Sequence, residues 1–476
     1  MMAKLPHPLF LLDRTKRSSL QLQLRLNLKR LVHNGVLEPG KEVPSSRELA
    51  RELQISRNTV VQVYDRLVGE GYLEALPRRG LFVSQLLEER SLRRARSGEA
   101  DPLPSRPGNI CTRLGAPIPF RPCQPDVRLF PLHLWNRARG KVLRKYGADL
   151  LRYQSHEPLG LPQLRQNLAA YLQGSRGVRC DWRQVAITTG SQQALFLLAH
   201  LLLKPGDPVA MEDPGYLGAR WAWQHIGATI HPIPVDSAGM RFDSEKLTSP
   251  KLIYTTPSRQ FPIGSCLSLP RRVALVAFAA NKKSWIVEDD YDSEFRYSRA
   301  PLPSLQSLDS SQRVIYVGST SKVLFPSLRI GYAVLPASLV EKFARLRAVL
   351  DEHGPLIDQA ALAEFIECGS LYRHIRRCRR AYAERLTAFQ DSASQFDLPI
   401  RFPHTDGGMN LTGLLCCPGS DKEHSLRLSR EGLEIPPLSR YSLRAISPGL
   451  LFGFTAFEPS TIRQSIKAVS RALNLR

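Results

Sequence analysis

The sequence predicts an α/β chain in two folded parts, a small module of short helices and a larger strand–helix domain. Three observations predict it. At 476 residues the chain is too long for one ordinary core. Residues 86–118 carry dense charge, Pro and Gly without an apolar period, which is the composition of a linker. From about residue 119 onward, short apolar runs such as 185–189, 251–255, 285–289 and 314–318 alternate with longer helical patterns. The expected parts are therefore 15–85, the linker 86–118, and 119–476.

Composition narrows the class. Hydrophobic residues make up 43% and charged residues 23%, ordinary for a globular protein. No run of about 18 apolar residues occurs, so no membrane helix is expected, and residues 1–10 lack the pattern of a secretion signal. The eight cysteines are scattered apart from Cys416 and Cys417, which suits a reducing, cytoplasmic compartment. A net charge of +23 suggests a polyanionic partner. Residues 1–100 hold 18 Lys and Arg against 11 Asp and Glu, a surplus of only 7, so charge alone does not locate a binding site.

The N-terminal part reads element by element. Leu20, Leu22, Leu24, Leu26 and Leu28 alternate as in a strand, yet Leu24, Leu28, Leu31 and Val32 fit a helix; a helix is expected because the elements that follow need one before them. After a turn at 37–40, Ser45 caps a helix and Glu48 completes a capping box. Ser56 caps the next helix, which buries Val60, Val63, Tyr64 and Leu67 and carries Arg57, Asn58 and Thr59 on its outer first turn. Two short helices joined by a tight turn, the second opening on polar side chains, form a helix-turn-helix. Residues 71–83 then read as a hairpin with a basic tip at Pro77–Gly80, a wing able to enter a minor groove.

The string from Glu38 through Arg47, Ser56-Arg57-Asn58-Thr59 and Gly71-Tyr72-Leu73 resembles the GntR winged-helix family over nearly the whole module. The resemblance implies a double-stranded DNA operator as partner. It implies contacts from Arg47, Arg57, Asn58 and Thr59, with Arg79 and Gly80 at the wing. In isolation, Arg47 and Arg57 would read as solvated helix residues; an arginine so placed can fork onto guanine or a phosphate.

Four segments of the larger part carry chemistry, each after an expected strand. Thr189-Gly190-Ser191-Gln192-Gln193 opens an apolar helix, whose free N–H groups can bind phosphate. Glu212-Asp213-Pro214-Gly215-Tyr216 ends in a tyrosine that can face a planar ring. Glu288-Asp289-Asp290-Tyr291-Asp292 sets acids at the C-terminal end of a strand, where ligands of open α/β sheets collect. A buried Asp there can hold a pyridine nitrogen protonated. No His or Cys spacing accompanies these acids, so no metal is expected. Gly318-Ser319-Thr320-Ser321-Lys322, with Arg329 seven residues on, offers a lysine able to form a Schiff base with an aldehyde. Taken singly, each has a bland reading as cap, core or surface tyrosine, metal-binding acids or surface lysine; their combination in this order favours the chemistry.

The order resembles the fold-type I enzymes of pyridoxal 5'-phosphate (PLP), the aspartate aminotransferase family, from about 120 to the C-terminus. That resemblance implies a mostly parallel central sheet with a small C-terminal α+β subdomain. It also implies PLP as cofactor, Lys322 as the Schiff-base lysine, and Asp289 on the pyridine nitrogen. Tyr291 would lie on the ring hydroxyl oxygen, Tyr216 against the ring, and Ser191, Gln192, Ser319 and Arg329 around the phosphate. A GntR head on such a body is similar to the MocR/GabR-type regulators, which implies a bacterial, cytoplasmic, head-to-tail homodimer.

Two departures bear on function. Residues 256–264 read Thr-Pro-Ser-Arg-Gln-Phe-Pro-Ile-Gly where aminotransferases carry Asn-Pro-Thr-Gly, with Gln260 the nearest substitute for the asparagine. The arginine that normally binds the substrate carboxylate should precede Gly453-Phe454, but that stretch is apolar; Arg220, Arg440 and Arg444 are the alternatives. The expectation is a regulator that senses PLP, or PLP joined to an amine, through the lysine linkage. A working aminotransferase with an accessory DNA-binding head is the second reading.

Overall fold

The computed structural model describes residues 12–14, 18–77, 79–85, 117–153, 157–243, 249–297, 303–405 and 407–474. The linker reading lies almost wholly outside these residues, as does Arg78 of the wing. The chain divides into two compact units, residues 1–114 and 115–476.

In the first unit, α1 (Leu20–His33) is a helix, and its buried residues are Leu24, Leu28, Leu31 and Val32. The helical period thus prevails over the alternating leucines. Leu22 and Leu26, the leucines that suggested a strand, lie exposed. α2 (Ser46–Leu53) opens on Ser45, and the Ser45–Glu48 capping box forms in both directions. α3 (Arg57–Gly69) opens on Ser56, whose hydroxyl accepts the Thr59 N–H. β1 (Leu73–Leu76) and β2 (Gly80–Val83) make the antiparallel wing, Leu73 opposite Val83. Residues before α2 line its edge, with Val43 N–H donating to Leu81 O and Val83 N–H to Lys41 O. Leu24, Leu49, Val60, Tyr64, Leu67 and Val83 meet in one core. Each such side chain contributes about 1.5–3 kcal/mol of burial.

The second unit is built on an eight-stranded sheet. Its strands are β3 (Val185–Thr188), β4 (Pro208–Asp213), β5 (Thr229–Asp236), β6 (Gly239–Met240), β7 (Leu252–Thr255), β8 (Trp285–Asp290), β9 (Val314–Ser319) and β10 (Gly331–Val334). They lie in the order β3-β10-β9-β8-β7-β4-β5-β6. Neighbours from β9 through β5 are parallel. β10 runs against both β9 and β3, and β6 against β5. Alternation along each strand feeds two faces: Ile315 and Val317 pack with the helices Ser191–Leu202 and Leu217–His225, while Tyr316 packs with the helices Pro162–Arg176 and Leu356–Glu367. Both faces are covered, which is why these strands read as continuous apolar runs rather than alternating ones.

A smaller antiparallel sheet, β11 (Ile400–Arg401), β12 (Asn410–Leu415) and β13 (Gly449–Gly453), follows. The helices Ser370–Gln395, Asp421–Arg430 and Pro459–Asn474 cover it around Phe389, Leu411, Phe452 and Ile466. Phe120 enters the same core, and Gly453 N–H donates to Phe120 O, so the start of the described part of this unit is bound to its last strand.

Candidate functional site

The parallel strands and β3 point their C-terminal ends to one rim, where ligands of such sheets collect. At that rim β3 ends in Thr188, whose hydroxyl donates to Gly190 O at 2.9 Å. Gly190 has φ +121 and is the cap of the helix Ser191–Leu202, with no side chain capping the first turn. The first-turn N–H groups therefore remain available to an anion. A Cβ at Gly190 would lie 2.8 Å from Arg329 Nη2, and one at Gly331 would lie 2.7 Å from Gly190 Cα. Arg329 and β10 are thus drawn tight against the glycine turn. Ser319 ends β9 opposite Gly331 in the same row, and its hydroxyl accepts Ser321 N–H at 3.2 Å. The Gln192 amide is engaged: it donates to Gly218 O at 2.8 Å and its Oε1 accepts the Tyr216 hydroxyl at 3.3 Å. For an anion Gln192 has its backbone N–H.

The other end of the site forms on β7 and β8. Asp289 is buried, and its Oδ2 accepts the Tyr254 hydroxyl at 2.7 Å. Its Oδ1 is buried with no partner. Burial pushes this carboxyl up to about 7, against a smaller downward pull from Lys322. Burial likewise pushes Tyr216 up to about 12, aided by the Asp289 charge and opposed by Arg329. Tyr216 therefore senses both the acid and the arginine at the glycine turn. Lys322 Nζ donates to Cys123 O at 3.0 Å. The Tyr291 ring meets Phe261 edge-on at 5.8 Å, and Phe261 meets Tyr216 at 5.9 Å and Tyr441 at 5.3 Å.

The residues singled out from the larger domain thus gather on one rim. Asp289 keeps one oxygen unpaired on β8, beside the strand β9 whose end leads to Lys322, and the glycine turn is drawn against Arg329. The set fits a phosphate-bearing pyridine aldehyde: the orphaned Oδ1 suits a ring N–H, and the cradle leaves no room for a Cβ.

The departures resolve in the same geometry. Gln260 is buried in the loop framework, its amide donating to Glu212, Pro214 O and Phe261 O while its Oε1 accepts Ile263 N–H. It is not free to replace the missing asparagine. Arg220 is buried, and its Nη2 donates to Tyr441 O at 2.6 Å, which fixes one end of the guanidinium. Arg440 and Arg444 are exposed. Leu451, fully buried on β13, packs with Phe261 and Tyr441 where a carboxylate-binding arginine was sought.

Sequence reasoning missed three residues. Tyr254 is a buried hydroxyl on a strand that otherwise reads as mostly apolar, a signal that was legible. Cys123, with φ +60, lies 199 residues from Lys322 and carries no local signal. Asn410 pins it by accepting Cys123 N–H at 2.7 Å and donating to its Sγ at 3.2 Å.

In the first unit, Arg47, Arg57, Asn58, Arg79 and Gly80 are exposed and Thr59 is half-buried, its side chain on Ser56 Oγ at 2.9 Å. Arg57 Nε reaches Ser46 Oγ at 3.5 Å, linking the start of α3 to that of α2. Gly80 has φ +110 beside Glu42, and the Arg79 guanidinium lies over Phe82. The outer face of α3 and the wing tip are therefore polar, basic and open.

Comparison with known proteins agrees with both halves. Residues 20–83 match the family of bacterial regulatory proteins, gntR family, and residues 142–438 match aminotransferase class I and II. The chain is 35% identical to the probable rhizopine catabolism regulatory protein MocR of Rhizobium meliloti, covering 98% of this chain and 96% of that one. It is 32% identical to the pyridoxine biosynthesis transcriptional regulator PdxR of Corynebacterium glutamicum across the whole of both chains. Among solved structures, Pyrococcus horikoshii kynurenine aminotransferase in complex with PMP aligns with TM-score 0.71 at 28% identity, over 76% of this chain and 92% of that one. LysN, the alpha-aminoadipate aminotransferase of Thermus thermophilus complexed with N-(5'-phosphopyridoxyl)-L-leucine, aligns with TM-score 0.69 at 29% identity, over 75% of this chain and 92% of that one. The aminotransferases match the larger domain alone, whereas MocR and PdxR match head and body together. The chain accordingly belongs to the MocR-type family of gntR regulators, PLP-dependent transcription regulators that bind DNA.

Proposed function

We propose that this regulator reads PLP, or PLP joined to an amine, at the rim site, and that Lys322 makes the covalent contact. PLP supplies an aldehyde that condenses with amines and a protonated ring that draws electrons. In this reading Asp289 receives the ring N–H on its free oxygen and Tyr291 donates to the ring hydroxyl oxygen. Tyr216 lies against the ring. Ser191, Gln192, Ser319 and Arg329 hold the phosphate, Gln192 through its backbone. Arg47, Arg57, Asn58 and Thr59 read the operator, with Arg79 and Gly80 in the minor groove. Residues 15–85 are the DNA-binding head, 86–118 the linker and 119–476 the effector and dimerisation domain of a cytoplasmic, head-to-tail homodimer.

The observation that carries this reading is the unpaired buried oxygen of Asp289 on β8, beside the strand β9 whose end leads to Lys322. The apolar contact of Leu451 with Phe261 and Tyr441 favours sensing over amino-acid turnover, since β13 carries no arginine for a substrate carboxylate there. Borohydride reduction of the PLP-treated protein, followed by peptide mass mapping, tests it. The expected result is a pyridoxyl mass on Lys322 alone; label elsewhere, or none, contradicts the assignment.

A further inference from the structure

The helix Ala337–Asp351 buries the Arg347 guanidinium almost completely, at 1% exposure. Its counter-charge is poorly placed. Arg347 Nε lies 3.0 Å from Asp351 Oδ1 without making a hydrogen bond, and the Asp351 side chain is partly open to solvent. Burial pulls the Arg347 pKa down, and Asp351 opposes this only in part. A buried ion pair is weak ground for stability, since apolar side chains of similar volume often serve as well. What Arg347 does hold is Gln193. Its Nη1 donates to Gln193 Oε1, and Gln193 Nε2 donates to Asp351 Oδ2 at 3.1 Å. The same Oε1 accepts Thr189 N–H at 2.8 Å. Three side chains thus close a ring of contacts that reaches the turn Thr189–Gly190. No side chain caps the first turn of the helix Ser191–Leu202, so the aim of its first N–H groups follows from the backbone of that turn.

We propose that Arg347 is a positioning residue for phosphate: acting through Gln193, it fixes the Thr189–Gly190 turn so that the helix N–H groups converge on the phosphate, and so selects PLP over unphosphorylated pyridoxal. Arg347 does not touch the ligand. A turn already held in its bound shape loses less freedom on binding. The inference deepens the PLP reading and rests on it for the identity of the ligand.

The test titrates full-length protein, freed of PLP, with PLP, pyridoxal and inorganic phosphate, read by calorimetry and absorbance. R347M, which keeps the volume and removes the charge, is expected to bind PLP and inorganic phosphate about tenfold more weakly, the scale of one lost hydrogen bond. Pyridoxal affinity and the urea midpoint should stay unchanged. Q193L, at a half-buried helix position, should show the same loss without disturbing the buried guanidinium. The double variant R347M/Q193L should be no weaker than Q193L alone, because the two side chains act as one unit. R345Q, which removes an exposed charge from the same helix, should leave all three affinities unaltered. Equal losses for PLP and pyridoxal overturn the proposal, as does additivity in the double variant or an equal loss in R345Q. Absence of a pyridoxyl label on Lys322, with inorganic phosphate still bound by the wild type and weakened in R347M, would remove the sensing reading and leave the positioning role in place.

Discussion

At the scale of single residues, Asp289 does most to define the site. Its carboxyl titrates near 7 because burial disfavours the charge, whereas an unfolded chain releases the same proton near 3.9. Between about pH 4 and 7 the folded state therefore holds a proton that the unfolded state has lost, and the group makes stability fall as pH rises through that window and level off above it. Asp292, also pushed up to about 7 by burial, acts in the same direction. Asp289→Asn should flatten the fall in stability of PLP-free protein, measured by urea unfolding across that range. The same variant should weaken PLP binding about ten- to hundredfold, the worth of about 1.5–3 kcal/mol for a hydrogen bond to a charged group. Parallel stability curves with unchanged PLP affinity would remove Asp289 from the site.

At the scale of elements, the turn from β3 into the helix Ser191–Leu202 is the tightest part of the cradle. Gly190 adopts φ +121 and ψ 166, a region that costs other residues about 1–3 kcal/mol. Gly190→Ala also sets a methyl against Arg329. We expect PLP affinity to fall at least about tenfold, a loss of about 1.4 kcal/mol. Affinity for pyridoxal, which has no phosphate, should change little; an equal loss for both would make the turn structural alone. These elements were legible because local rules agree there: the Ser45–Glu48 box, the Ser56 cap and the apolar strands each follow from neighbouring residues. The leucine run at 20–28 was ambiguous because its alternation and its helical stripe share Leu24 and Leu28, and only packing against α3 separates them. Long-range placement was not legible. Nothing near Cys123 signals that its carbonyl meets Lys322, nor anything near Arg220 that it donates to the backbone of Tyr441.

At the scale of the whole molecule, a reader of DNA and a binder of PLP share one chain, so function requires that the two be coupled. The head's contribution is separable: Arg57→Ala should cost about 1–3 kcal/mol of operator binding and relax preference at one base position. Selection of operators by the variant checks this; an unchanged consensus and affinity would displace α3 from the groove. Coupling demands more, that PLP bind with different strength in the two DNA-binding states. The most direct measurement is operator affinity of the full-length protein titrated with PLP, wild type beside Lys322→Ala. The account predicts a shift of about five- to 150-fold in the wild type and none in the variant. A wild type indifferent to PLP, or a variant that responds equally, would contradict it.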